Sequence, residues 1–293
     1  DDSGKLIFET TASSSNYQTV GIAQVTNVLT DLLKQVVNYT PTINSAVFAI
    51  AGIDTPYDLR CVKAIVDASV SSSGLEINFT SVENDVEATL LGLTKDQPGA
   101  ILISGTGALS FAYNGEQMFR AGGWGHRIGD EGSGYWIGQQ IARAIMRTED
   151  GLSHEQSLLT KLVFEKLDIQ HIDAFINWIY AEDYTNARLA SLVSTLAPAL
   201  EAEDTLAELI ATEAAYELAL LCTTSFRKAN LSATAFTLYL NGGVLLNNPR
   251  ITEEVIERVQ SYYPKVTFVI CDQPPILAIV ERAKWLFEMQ AKI

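Results

Sequence analysis

The chain has 293 residues, 47% of them hydrophobic and 19% charged, with a formal net charge of −15. That length exceeds what one core usually fills and predicts two domains. The acidity excludes a nucleic-acid partner, which would need a basic face, and otherwise serves solubility.

Asp1-Asp2-Ser3-Gly4 reads as a turn, with a strand leaving it over residues 5–11 (KLIFETT). Residues 13–18 form a polar loop. Residues 20–37 have helical spacing, with Val25, Val28, Leu29, Leu32, Leu33 and Val36 on one side. Residues 46–51 (AVFAIA) end on Gly52 and fit a strand buried on both faces. A helix over 57–69, a strand over 75–82 and a helix over 86–93 follow. This alternation is the α/β signature and places functional groups at the carboxyl ends of strands.

Residues 101–136 are the densest in chemistry. An apolar strand over 100–103 stops on Ser104-Gly105-Thr106-Gly107. A second strand over 109–113 ends on Asn114-Gly115, a two-residue hairpin signal. A third short run empties into Gly122-Gly123-Trp124-Gly125-His126 and then Gly129-Asp130-Glu131-Gly132. Glycine costs about 0.5–1 kcal/mol in regular structure, so glycines this dense mark close approach of backbone to a ligand.

The rest is mostly helical, over 137–147, 158–167, 172–180, 187–200 and the Ala-rich 205–228. A strand over 235–240 stops at Asn241-Gly242-Gly243. Thr252 is the expected N-cap of a helix to Val259, and 266–271 reads as a buried strand. Pro274-Pro275 opens a last helix reaching about Gln290. Cys61, Cys222 and Cys271 are dispersed in apolar surroundings, which predicts buried thiols and no disulfide framework. No apolar run approaches the roughly 18 residues of a membrane span. No signal peptide is read at the start, and a cytoplasmic location is expected.

Several of these residues carry two readings. The 104–107 turn can present backbone N–H groups and the Thr106 hydroxyl to a phosphate, or be an ordinary glycine hairpin. It lacks the lysine of a Walker loop. Asn84-Asp85-Val86-Glu87 is a helix cap with Glu87 completing a capping box. Alternatively, Asp85 is a general base at a strand end. The 122–131 glycines, with an Asp-Glu pair, suit a polyhydroxylated ligand on which Trp124 could stack; Trp124 could equally be packed. Three histidines, His126, His154 and His171, give no metal-ligand spacing. Asn241-Gly242-Gly243 is a plain strand-to-helix turn or a contact to a nucleotide.

Together the residues resemble the N-acetylglucosamine kinases within the BadF/BadG/BcrA/BcrD ATPase family. The resemblance rests on Ile103-Ser104-Gly105-Thr106-Gly107, on 122–134 (GGWGHRIGDEGSG), on Asn84-Asp85, on Ser15-Asn16-Tyr17 and on residues 240–247. It implies an α/β actin-like ATPase (ribonuclease H-like) fold of two lobes with a cleft between them, divided as 1–97 plus 276–293 and 98–275. It implies ATP-dependent phosphorylation of the 6-hydroxyl of N-acetylglucosamine, in amino-sugar salvage, with Mg²⁺ accompanying ATP. Asp85 becomes the catalytic base. Asn16, Asn84, Gly123, Trp124, Gly125 and Asp130 become sugar contacts. Gly105, Thr106, Gly107, Gly242, Gly243 and Asn247 become ATP contacts, with no protein metal site, and a homodimer is the expected assembly.

Glucosamine or N-acetylmuramic acid kinases share these motifs. A dehydratase-activating ATPase would need clustered cysteines, and a non-catalytic sugar-binding regulator would need a basic DNA-reading domain. The resemblance departs at the start, where the family has a strand and a glycine-rich phosphate turn. About twenty native residues are therefore expected to precede Asp1, by the usual lengths of a strand and turn. It departs again at Ile276-Leu277-Ala278, where relatives often place glycine.

Overall fold

The structure is a computed structural model that describes residues 5–152 and 157–290. The expected turn at Asp1 to Gly4 and His154 lie outside the described residues. Contacts divide the chain into one unit of Asp1–Gln97 with Gln273–Ile293 and another of Pro98–Asp272.

The first unit begins with two helices, α1 (Tyr17–Val20) and α2 (Ile22–Val37), separated by Gly21 at φ +84°. Strand β1 (Thr42–Ile50), helix α3 (Pro56–Ser73), strand β2 (Glu76–Asn84) and helix α4 (Asp85–Thr94) follow. The two strands are parallel, with Ile50 opposite Asn84, so their carboxyl ends lie together. Val25 and Leu29 of α2 pack on Val62, Ile65 and Val66 of α3 to make the core of this unit.

Two strand expectations fail in this unit. Residues 5–11 have no regular secondary structure, because β1 pairs only with β2 and no described strand runs beside them. Leu6 is 70% exposed, and Phe8 instead rests on the Tyr39 ring at 4.7 Å. Nor is β1 buried on both faces. Only Ile50 is fully buried, as a two-stranded sheet leaves much of its surface open.

The second unit holds a five-stranded sheet in the order β5-β4-β3-β6-β7. Its strands are β3 (Gly99–Ser104), β4 (Ala108–Tyr113), β5 (Met118–Gly122), β6 (Phe236–Asn241) and β7 (Val266–Ile270). β3, β4 and β5 form an antiparallel meander, while β3, β6 and β7 are parallel. The turn between β4 and β5 spans 114–117 instead of two residues, because the Asn114 carboxamide accepts the N–H groups of Glu116 and Gln117 and widens it. β7 is an edge strand with Ile270 57% exposed, so the expected burial of 266–271 does not hold.

Helices α5 (Gly134–Glu149), α6 (Leu158–Leu167), α7 (Ile172–Ile179), α8 (Asn186–Ala190) and α9 (Leu196–Glu201) follow the meander. The single helix expected over 187–200 is broken by a 3₁₀ stretch at Ser191–Thr195. Restarting at Leu196 puts Pro198 in a first turn, where its missing N–H has no intrahelical partner to lose.

Helix α10 (Thr205–Lys228) runs through the core of this unit. Its buried face is largely alanine (Ala207, Ala211, Ala214, Ala215, Ala219), small enough for the sheet and loops to approach closely. A Cβ at Gly132 would stand 2.9 Å from the Ala214 carbonyl. Helix α11 (Gly243–Asn247) leads into α12 (Pro249–Tyr262). Thr252 is not the cap of α12; Pro249 opens the helix, and the buried Thr252 hydroxyl donates to the Leu245 carbonyl at 2.6 Å. Among the cysteines, Cys222 is buried while Cys61 and Cys271 are half-buried, and all three are free.

Helix α13 (Pro275–Gln290) belongs to the first unit and crosses α4 at Gly92, where a Cβ would stand 1.9 Å from the Ala278 carbonyl. The glycine that permits this close crossing is on α4, opposite Ala278. Further along, buried Arg282 pairs with Glu83 at 3.3 Å and with Asp96 at 2.6 Å. The Trp285 indole N–H also donates to Asp96 at 2.7 Å. These bonds hold Asp96 in a left-handed conformation, φ +59°, that a non-glycine residue seldom adopts. Among the described residues no helix is long and apolar enough to cross a membrane.

Candidate active site

In the first unit the carboxyl ends of β1 and β2 gather five polar positions. Asn84 ends β2 and caps α4, its side-chain oxygen accepting from Val86 N at 2.9 Å and Glu87 N at 3.3 Å. Its amide group reaches the Ile53 carbonyl at 3.4 Å, tying the two strand ends together. Asn84 therefore caps α4 alongside the placement of Asp85 at the first helical position, but the Glu87 side chain makes no bond back to Asn84 N, so the expected capping box is only half formed.

Asp85 is half-buried, and burial pushes its carboxyl above the ordinary aspartate range. Asp54 adds a smaller push in the same direction, opposed by the backbone N–H of Val86. A raised carboxylate at the end of a parallel strand is the arrangement that lets an aspartate take a proton from a hydroxyl. Glu87 is pushed up too, by burial first and then by Glu83.

Asn16 caps α1 by accepting from Gln18 N at 3.0 Å. Its side chain lies against Gly52, where a Cβ would stand 2.7 Å from Asn16 Oδ1 and where φ is +86°. Sequence marks Gly52 only as the end of a strand and gives Asp54 no role. Their signal was a glycine and an aspartate directly after an apolar strand.

In the second unit the 104–107 turn joins β3 to β4. Gly105 N–H closes onto the Gly107 carbonyl at 2.9 Å, so that donor is used inside the turn and does not face outward. The Gly105 carbonyl receives Gly134 N–H at 2.7 Å, from the first residue of α5. Thr106 is exposed at the tip, and the space beside the Gly105 Cα is open, with no atom within 4 Å of an added Cβ.

The turn after β6 lies directly against it. β3 and β6 are parallel neighbours, with Ile103 opposite Asn241. A Cβ at Gly242 would stand 2.3 Å from the Ser104 carbonyl oxygen and 2.8 Å from Ser104 N. Asn247 is exposed at the end of α11, its amide donating to the Gly243 carbonyl at 2.8 Å. The structure thus brings Gly105, Thr106, Gly107, Gly242 and Gly243 to one end of one sheet, at the carboxyl ends of β3 and β6.

The 122–134 segment is held from below. Gly122, Gly123 and Gly125 all have positive φ, between +72° and +86°. The Arg120 guanidinium donates to the Gly122 carbonyl at 2.8 Å and to the Gly123 carbonyl, and lies 4.4 Å from the Trp124 ring centroid. Trp124 is 60% exposed, so it is not packed in the core. Ser133 caps α5, accepting from Trp136 N at 3.1 Å.

Asp130, left-handed at φ +64°, is buried against the 104–107 turn; a Cβ at Gly107 would meet its Oδ2 at 3.0 Å. Burial raises its carboxyl, and the N–H groups of Ala108 and Gly125 oppose that rise. Asp130 therefore links the 105–107 turn to the Gly123-Trp124-Gly125 loop. His126 meets Asn186 at 2.8 Å and the Tyr135 ring edge-on at 5.1 Å. Among the described residues no group of His, Cys, Asp and Glu could hold a metal ion.

Residues 1–275 match the BadF/BadG/BcrA/BcrD ATPase family. Over 220 residues the chain is 32% identical to the N-acetylmuramic acid/N-acetylglucosamine kinase of Clostridium acetobutylicum, covering 75% of this chain and 70% of that protein. It is 28% identical to the N-acetyl-D-glucosamine kinase of Dictyostelium discoideum over 289 residues, 93% of this chain and 89% of that one. The crystal structure of a provisionally named N-acetylglucosamine kinase from Chromobacterium violaceum superposes with a TM-score of 0.63 at 20% identity, covering 92% and 88% of the two chains. That likeness gives the actin-like ATPase fold.

Proposed function

The chain belongs to the BadF/BadG/BcrA/BcrD ATPase family, and on that footing we propose that it is an ATP-dependent kinase of N-acetylglucosamine acting at the 6-hydroxyl. The observation that carries this reading is the pair of glycine turns pressed together at the ends of β3 and β6. Side chains at Gly242 would fill the space that backbone occupies, and open space at Gly105 leaves room for a phosphate. Thr106 and Gly107 supply donors to the phosphates, and Gly242, Gly243 and Asn247 line the adenosine side.

Asp85 takes the proton of the 6-hydroxyl as that oxygen attacks the terminal phosphorus of ATP and the bond to the bridging oxygen breaks. Asn16, Asn84, Gly123, Trp124, Gly125 and Asp130 orient the sugar. Magnesium accompanying ATP would neutralise phosphate charge. Most of the catalysis is then positioning, because phosphoryl transfer asks little covalent chemistry of the protein.

The test is ATP-dependent phosphorylation with the product's substituted position read by NMR. N-acetylglucosamine should have a kcat/KM at least about tenfold above those of glucose and free glucosamine, the scale of one buried polar group left unsatisfied. A preference for free glucosamine would overturn the choice of sugar. The name of the Clostridium acetobutylicum relative adds N-acetylmuramic acid as a second substrate to include.

A further inference from the structure

The first unit contains a buried carboxylate that the reaction above does not use. Asp58, in the first turn of α3, is 6% exposed. Its Oδ2 accepts from Asp54 N at 3.2 Å, Thr55 N at 2.7 Å and the Thr55 hydroxyl at 2.7 Å. With Asp58 N donating back to the Thr55 hydroxyl at 3.2 Å, this completes a capping box.

A helix cap needs only that one oxygen. The other, Oδ1, accepts from the Tyr17 hydroxyl and from Gln18 Nε2 at 3.4 Å. These are the two residues that follow Asn16. Gln18 Nε2 also donates to the Gly52 carbonyl at 3.1 Å, and Asn16 itself lies against Gly52. One carboxylate therefore joins the Asn16 turn to the 52–55 loop, whose Ile53 carbonyl is bonded by Asn84 next to Asp85.

We propose that Asp58 and Tyr17 are positioning residues for the sugar: their bond fixes the Asn16 turn against the loop beside Asp85. This rests on the kinase reading and on Asn16 as a sugar contact. The bond is robust around neutrality. The Tyr17 hydroxyl holds the Asp58 carboxyl down at about 2, and Asp58 pushes the Tyr17 phenol up to about 12. The charged acceptor and neutral donor thus persist across the range in which a kinase works.

Tyr17→Phe is the clean variant, since it removes one donor and leaves the capping box of α3 intact. The expected result is a KM for N-acetylglucosamine about tenfold higher, the scale of one hydrogen bond to a charged group, with kcat and the KM for ATP within about twofold. Asp58→Asn should move the same constant in the same direction. Because the effect runs through Asn16, adding Tyr17→Phe to Asn16→Ala should raise the sugar KM little further.

An unchanged sugar KM in Tyr17→Phe overturns the inference. So does a parallel loss in kcat, both KM values and melting temperature, which would mark a purely structural bond. Additive effects in the double variant overturn it too. A parent chain that phosphorylates no amino sugar overturns the kinase reading itself, an outcome distinct from an active parent with indifferent variants.

Discussion

Asp85→Asn lowers kcat by at least about 10²-fold, the lower range for removal of a general base, while sugar binding survives in part. Asparagine keeps an acceptor for the Val86 N–H that Asp85 receives at 3.0 Å, so the start of α4 stays intact. Steady-state kinetics with ATP and N-acetylglucosamine check this, and turnover near that of the parent would leave Asp85 only a capping role. In the parent, kcat/KM should fall on the acid side as Asp85 takes up its proton. Burial raises its carboxyl, so the midpoint lies above the ordinary aspartate range.

Stability should move the other way. With its folded-state value raised, the native state binds more protons than the unfolded chain between the two values. Stability therefore falls as pH rises through that window. Asparagine carries no such penalty, so the inactive variant should melt no lower than the parent at neutral pH. A fall in both activity and melting temperature would instead mean that Asp85 is structural.

What the sequence discloses and what it hides divide along the range of the interactions. The 122–134 stretch is legible because its glycines serve local backbone geometry, with positive φ at Gly122, Gly123, Gly125 and Gly132. The caps at Asn84 and Ser133 are local and legible for the same reason. Half of the Asp58 hub carries a local signal that the helix expected over 57–69 does not use, since Thr55 and Asp58 stand three apart, the spacing of a capping box.

The other half carries none, because the Tyr17 bond spans 41 residues and depends on how α1 meets α3. Residues 5–11 look like a strand because their composition suits one, yet a strand exists only through a ladder partner. Thr252 looks like a cap because threonine usually is one, but Pro249 already starts that helix. Asp130 reads as a ligand from its company of glycines, and its left-handed backbone and burial against Gly107 appear only in three dimensions. Long-range packing decides each of these except Thr252, which Pro249 settles locally.

Gly242→Ala should damage stability and ATP use together. The residue sits at φ +101° and ψ 151°, a region essentially confined to glycine. Its missing side chain faces backbone: a Cβ would stand 2.3 Å from the Ser104 carbonyl oxygen and 2.5 Å from its carbon. Neither a rotamer change nor a flexible neighbour can relieve that clash. The turn must move away from β3, carrying the adenosine side off the 105–107 turn.

Strain of about 1–3 kcal/mol from the backbone, with about 1–3 kcal/mol from overpacking, predicts a melting temperature lower by at least ~4 °C at 2–4 °C per kcal/mol. A displacement of the turn by about 1 Å would lower kcat/KM for ATP by up to ~10²-fold. Gly243→Ala is the matched control for stability. Gly243 has no positive φ, and the nearest atom to its Cβ is Asn247 Nδ2 at 3.8 Å, an ordinary contact. Thermal unfolding of both variants, with ATP kinetics for Gly242→Ala, checks the pair. Equal melting temperatures for the two variants would mean that the β3 and β6 turns are not pressed together, and would remove the observation on which the kinase reading rests.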